Sequence, residues 1–217
     1  PLHCKYQPEK VNAAVFFLST DYVFDGSKSK PYLETDSPHP LSVYGRSKLE
    51  AEEALKSKNV PAYLVRTSWL YGDGGKNFFR AILRRLSRGE LLRVVSDQYG
   101  APTYTRDLAD AISKIIDAIN PKHSAKEMKT YHIANSGRTT WWGAAQRVIH
   151  KINNQTNVNP ISSQELNRIA KRPRNSVFDM SRVTRDFGIE MRSWEAAVDD
   201  YWSRSLVKEW EQLAISN

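Results

Sequence analysis

The chain has 217 residues, 40% of them hydrophobic and 26% charged, the balance of a globular protein with a core to bury. Thirty-two Lys and Arg against 24 Asp and Glu leave a formal charge of +8, spread without a like-charged tail, so a nucleic-acid-binding module has charge alone in its favour. The longest apolar run, 13–18, is far short of the ~20 residues of a membrane span. No secretory pattern is visible, and the single cysteine, Cys4, excludes an intrachain disulfide and a zinc site of cysteine pairs, which makes a reducing cytoplasm the expected compartment.

Residues 15–18 (VFFL) are continuously apolar and bulky, the pattern of a strand buried on both faces of a parallel sheet. The run ends in Ser19, Thr20 and Asp21, and the carboxyl ends of such strands are where ligands bind. Gly26, Pro31, Pro38 and Pro40 mark 25–41 as an extended surface loop. Apolar residues at three- and four-residue spacing then predict a helix over 42–56. A second buried strand is expected over 61–69, a glycine-rich loop over 71–77 and a basic helix over 78–87. On that helix Arg80, Arg84 and Arg88 make a stripe better read as a solvated face than as a phosphate patch.

Further on, 91–95 reads as a strand, 105–119 as a helix, 131–134 as a short strand and 141–152 as a helix. Trp141 and Trp142 open that last helix, one ring expected in the core and one at the surface. Residues 153–174 read as polar and irregular, and 194–213 as a closing amphipathic helix. Alternating strands and helices argue an α/β fold with a mainly parallel sheet.

Tyr44 and Lys48 form a Tyr-x-x-x-Lys unit on the first helix. Residues four apart share a helical face, so the phenol and the ammonium are expected to face one cleft. A tyrosine ionises near pH ~10 unperturbed, and a neighbouring cation brings that proton into useful range for acid–base work on a carbonyl. The unit is weak alone: Tyr6 and Lys10 repeat the spacing across Pro8, where no regular helix is expected. Thr20, on the preceding strand end, adds a hydroxyl able to donate to a carbonyl beside the phenol. The five histidines lack metal-ligand spacing, and there is no G-x-S-x-G and no phosphate-binding loop. Asp97, Gln98 and Tyr99 follow a strand and read equally as pocket lining or as an ordinary loop.

Residues 19–26 (STDYVFDG), 40–52 (PLSVYGRSKLEAE), 66–72 (RTSWLYG) and 96–109 (SDQYGAPTYTRDLA) occur in one order that resembles the extended short-chain dehydrogenase/reductases, and within them the dTDP-4-dehydrorhamnose reductase group. Residues 171–179 (KRPRNSVFD), 187–189 and Trp194 continue the likeness, which covers 15–202. The resemblance implies a partial Rossmann-like parallel sheet with a smaller C-terminal substrate-binding region. It implies an oxidoreductase that converts dTDP-4-dehydro-L-rhamnose to dTDP-L-rhamnose with NADPH or NADH. Tyr44 would give the proton, Lys48 would lower its pKa and hold the nicotinamide ribose, and Thr20 would bond the keto oxygen. Asp21 and Trp69 would contact sugar or nucleotide, although core packing is the plainer reading of Trp69 by itself. Arg172 would meet the diphosphate. The expected partner is the nucleotide-sugar, with neither nucleic acid nor membrane; a homodimer and a magnesium ion at a subunit contact stay open.

No G-x-G-x-x-G or G-x-x-G-x-x-G occurs, although the family opens with such a turn at the cofactor pyrophosphate. The expectation is therefore the carboxyl-terminal two-thirds of a reductase, from a fragment or a truncated gene. Residues 1–71 would be the C-terminal half of an NAD(P)-binding Rossmann domain and 72–217 the substrate-binding region, with segments returning to the Rossmann core. Alone, such a piece would leave a sheet edge unpaired, be unstable or aggregate, and lack activity. The alternative function is a non-catalytic regulatory subunit on the same scaffold, resembling the methionine adenosyltransferase beta subunit.

Overall fold

The computed structural model describes residues 15–58, 61–119, 128–152 and 158–215. Cys4, the Tyr6/Lys10 pair, His3 and His123 lie outside them. The main sheet has three parallel strands in the order β1 (Val15–Thr20), β2 (Ala62–Thr67), β7 (Lys129–His132). Its register pairs Val15 with Ala62 and Thr20 with Thr67, so both strands end level.

All six residues of β2 are buried, as its apolar run predicts. β1 departs from expectation: Val15, Phe16 and Phe17 are half-buried and Leu18 is 44% exposed. The reason is position, since among the described residues β1 pairs with β2 alone and forms the sheet edge. Helices α3 (Thr105–Ala118) and α6 (Ser181–Phe187) cover one part of the sheet, packing Leu108, Ile115 and Val183 against Tyr63, Val65 and Tyr131.

Between these elements run β3 (Leu70–Tyr71), α2 (Phe78–Ser87), β4 (Arg93–Val95), β5 (Tyr99–Gly100) and β6 (Thr103–Tyr104). After β7 come β8 (Thr139–Thr140), α4 (Trp141–Lys151), β9 (Asn159–Ile161) and α5 (Ser163–Leu166). Strands β3 and β6 pair in parallel, as do β4 and β9, while β5 and β8 pair antiparallel. A helical core joins Phe79 and Leu83 of α2 to Ala144 and Val148 of α4 and to Val198 and Tyr201 of α7 (Trp194–Tyr201).

Two local expectations change. Of residues 153–174, read as irregular, 153–157 lie outside the described residues and the rest contain β9 and the short α5; Pro160 masks the strand in the sequence and is tolerated because, among the described residues, the β4–β9 sheet has two strands. The closing helix is three pieces, with a π-helical segment, Trp202–Leu206, between α7 and α8 (Val207–Ile215). The α2 arginines keep the expected solvated face at Arg84 and Arg88 while pairing with acids: Arg80 with Asp73 and Glu209, Arg84 with Glu209, and Arg88 with Glu90.

Candidate active site

Chain direction turns sharply where β1 ends. Thr20 caps a single 3-10 turn, Asp21–Val23, its hydroxyl oxygen accepting from the Tyr22 N–H at 3.2 Å. The same hydroxyl donates to Asp21 Oδ1 at 3.1 Å. Asp21 is 2% exposed, and its Oδ2 has no partner among the described residues. Burial pushes this carboxyl up to about 6, against opposing hydrogen bonds from Ser176 and Thr20 and the charge of Arg172.

Helix α1 (Val43–Ser57) is opened by Ser42, whose hydroxyl accepts from the Gly45 N–H at 3.1 Å. Its first turn lies on the 3-10 turn so closely that a Cβ at Gly45 would sit 2.2 Å from the Tyr22 carbonyl oxygen. This approach brings Tyr44 beside the end of β1. The Tyr44 ring meets Tyr22 edge-on, centroids 6.0 Å apart, and the residue stays 53% exposed.

The neighbouring strand supplies the opposite wall. Thr67, which ends β2, and Ser68 after it are buried, and Trp69 adopts a positive φ of 46°. That turn lays the Trp69 indole on Trp141, the first residue of α4, at 3.7 Å and 9° between planes. Trp69 is half-buried and lines the cleft, so it is neither plain core nor free surface. Trp142 is also half-buried and donates its indole N–H to the Val158 carbonyl at 2.9 Å; the expected split of one core and one surface ring does not occur, because each ring has its own partner.

Thr20, Asp21, Tyr44, Trp69 and Arg172 line one cleft of about 260 Å³ at the carboxyl ends of β1 and β2. Lys48 does not line it. Its ammonium donates to the Leu18 carbonyl at 2.7 Å and lies 4.8 Å from the Phe17 ring. Helical spacing sets the direction of a Cα–Cβ bond, but a four-carbon stem then follows the nearest free acceptor, here on the open edge of β1. Ser19, Tyr22, Thr67, Ser68, Leu70 and Trp141 also line the cleft; all but Trp141 fall within 19–26 and 66–72, yet no site role was read for them, since nothing local shows which of a segment's side chains meet across the fold.

A second cavity of about 330 Å³ shares Trp141 and Arg172 with the first. Arg85, Arg93 and Arg168 line it over an apolar floor that includes Phe78, Ile82 and Val94. Arg172 lies 5.9 Å from the Tyr22 and Trp141 rings, at the junction of the two cavities. Burial and the charge of Arg172 hold the Arg168 guanidinium below its usual range. Gln98 lines this second cavity and donates to the Ser163 hydroxyl at 2.8 Å. Among the described residues no cluster of three acidic, His or Cys side chains is placed to hold a metal ion, and no helix is long and apolar enough to cross a membrane.

A parallel sheet opening at its carboxyl ends onto a threonine hydroxyl and the tyrosine of a helical Tyr-x-x-x-Lys unit is the scaffold of the extended short-chain dehydrogenase/reductases. Within that class the chain belongs to the RmlD substrate binding domain family, whose model matches residues 6–207. It is 38% identical over 193 residues to the dTDP-4-dehydrorhamnose reductase of Aggregatibacter actinomycetemcomitans, covering 86% of this chain and 65% of that one. It is 40% identical over 185 residues to the dTDP-4-dehydrorhamnose reductase of Sinorhizobium fredii, covering 83% and 62%. The chain thus spans less than two thirds of the length of these two relatives. Among solved structures it is similar to the Bacillus anthracis dTDP-4-dehydrorhamnose reductase in complex with NADP, with a TM-score of 0.81 and 34% identity over 90% of this chain and 67% of that one.

Proposed function

We propose that this chain forms the substrate side of an NAD(P)H-dependent reductase that converts dTDP-4-dehydro-L-rhamnose to dTDP-L-rhamnose. The observation that carries the reading is the meeting of Thr20, Asp21 and Tyr44 in a cleft that adjoins an arginine-lined cavity. A sugar-sized group fits the first space, and the diphosphate end of the same molecule suits Arg168 and Arg172, whose planar forks match phosphate oxygens. In this reading residues 1–71 belong to the cofactor domain and 72–217 to the substrate region, β7 being the segment that rejoins the main sheet.

Reduced nicotinamide supplies the hydride when bound. Tyr44 gives its phenolic proton to the carbonyl oxygen as that oxygen gains negative charge, so the ketone becomes a secondary alcohol with no net charge left on the sugar. Thr20 orients the oxygen by donating to it, which requires its hydroxyl to turn from Asp21 Oδ1. Asp21, with one oxygen unpartnered, accepts from a sugar hydroxyl. Lys48 fits the cofactor ribose: one ammonium proton is held by Leu18 and two remain for hydroxyl groups at the open β1 edge. A cytoplasmic setting goes with this reading, since one cysteine leaves no intrachain disulfide to form.

The test uses the full-length parent protein with dTDP-4-keto-6-deoxy-sugar and NADPH, followed by loss of reduced-nicotinamide absorbance. Tyr44→Phe should lower turnover by about 10²–10⁴-fold while nucleotide-sugar binding changes little, because it removes a proton and not a shape. Full activity in Tyr44→Phe would overturn the assignment. Tight nucleotide-sugar binding with no turnover in the unaltered protein would favour the non-catalytic subunit instead.

A further inference from the structure

Helix α1 has an unusual attachment. Its buried residues are only Gly45 and Glu52; Val43 is largely exposed, and Leu49 and Leu55 are half-buried. Leu49 packs against the buried cluster of Val23 and Phe24, an apolar hold near the site. Glu52 adds a charged one. It is 4% exposed and accepts from Arg66 Nε at 3.1 Å and Nη2 at 2.6 Å, from β2, and from the Ser19 hydroxyl, from β1.

Ser19 itself lines the cleft beside Thr20, and Arg66 sits one residue before the cleft residue Thr67. The pair thus clamps α1 to both strands directly behind the site. A buried ion pair is costly to desolvate and is weak support for stability by itself, so its two-pronged geometry and third donor point to placement. From Glu52 to Tyr44 is about 12 Å along the helix at ~1.5 Å per residue, and a tilt of ~5° about that anchor moves the tyrosine by ~1 Å. Misplacement on that scale costs a reaction about 10²-fold.

We infer that Glu52, locked by Arg66 and Ser19, is the positioning residue that sets the distance between the Tyr44 phenol and the Thr20 hydroxyl. This rests on the reductase reading of the cleft. Glu52 touches neither cavity, so its loss should act on turnover and spare binding.

The experiment takes Glu52→Gln and Ser19→Ala in the full-length parent protein and measures kcat and KM for the nucleotide-sugar. Glu52→Gln should lower kcat about 10²-fold with KM within ~3-fold, and Ser19→Ala, which leaves the ion pair whole, should lower kcat by ~3–10-fold. Added to Tyr44→Phe, Glu52→Gln should cost nothing more, because there is no longer a phenol to place. Unchanged kcat in both single variants, or a full further loss in the double variant, would overturn the inference; if Glu52→Gln does not fold, Ser19→Ala, whose residue also lines the cleft, decides by the Tyr44–Thr20 separation in its crystal structure. Should the unaltered parent show no turnover, the reductase reading fails separately. Crystal structures of the variants then decide the placement: a Tyr44–Thr20 separation changed by ~1 Å supports it, and one changed by less than ~0.3 Å refutes it.

Discussion

The indoles of Trp69 and Trp141 lie face to face at 3.7 Å, one from the turn after β2 and one from the first turn of α4. This stack forms a wall of the proposed sugar cleft, and Trp141 extends into the arginine-lined cavity beside it. Gly100 makes room for it: a Cβ there would sit 2.6 Å from the Trp69 ring. Gly100→Ala should push Trp69 off its partner, reduce the exciton couplet of the stacked indoles in the far-ultraviolet circular dichroism, and raise the KM for nucleotide-sugar by ~10-fold, about 1.4 kcal/mol of lost binding. An unaltered couplet in Gly100→Ala would show that the ring does not need the space.

Asp21 makes stability depend on pH in a definite direction. Its carboxyl is raised from 3.8 to about 6, so the folded chain holds this proton more tightly than the unfolded one. The associated stabilisation is complete below pH ~4 and is lost as pH rises through about 6, amounting to roughly 3 kcal/mol at ~1.4 kcal/mol per unit. Asp21→Asn keeps an acceptor for the Thr20 hydroxyl and removes the ionisation. Urea unfolding should find the variant more stable by about 1–3 kcal/mol near pH ~7.5, with the gap closing near pH ~4.

His132 works in the opposite sense. The ring is fully buried, stacked on Phe178 at 4.1 Å, with Nδ1 3.0 Å from the Tyr32 carbonyl oxygen. Burial first, then the charge of Arg66, lowers it from 6.5 to about 3. The neutral ring therefore contributes fully above pH ~6.5, and its contribution falls away as pH drops towards ~3. His132→Asn keeps a donor for Tyr32 and loses the stack. It should be less stable than the parent at neutral pH yet show a flatter acid limb when urea midpoints are plotted from pH ~7.5 to ~4.5. Parallel limbs would contradict the buried neutral ring.

Tyr201 ties the helical part to the loop before α2. Its hydroxyl donates to the Gly72 carbonyl at 2.9 Å and accepts from Asn77 Nδ2 and Arg80 Nε, each at 3.0 Å. Tyr201→Phe removes three hydrogen bonds but leaves Asn77 Nδ2 on the Gly72 carbonyl and Arg80 Nε on Glu209, and should cost about 1–1.5 kcal/mol in chemical denaturation. A loss below ~0.5 kcal/mol would mean that water satisfies those groups instead.

Much of the site was legible before folding because its signals are local. Ser19 to Asp21 follow an apolar run directly, and Tyr44 sits in a helix whose cap and spacing are written in adjacent residues. That Lys48 would share the cleft with Tyr44 was not legible either way, because a shared helical face does not fix the end of a long side chain. Glu52 stayed hidden for a related reason: a glutamate in a charged helix reads as solvated until Arg66 and Ser19 are brought to it from two strands. β9 was missed because three residues with a central proline carry too little pattern, and only pairing with β4 makes them a strand.

The amino-acid order alone determined the α/β class, the parallel strands and the polar residues at their ends, since apolar periodicity and turn chemistry act over a few neighbouring residues. Tertiary structure decided which of those ends share a cleft, that Asp21 is buried while Lys48 points away, and that two distant tryptophans stack. These outcomes depend on burial and on long-range register, and neither quantity exists until the strands and helices have been packed together.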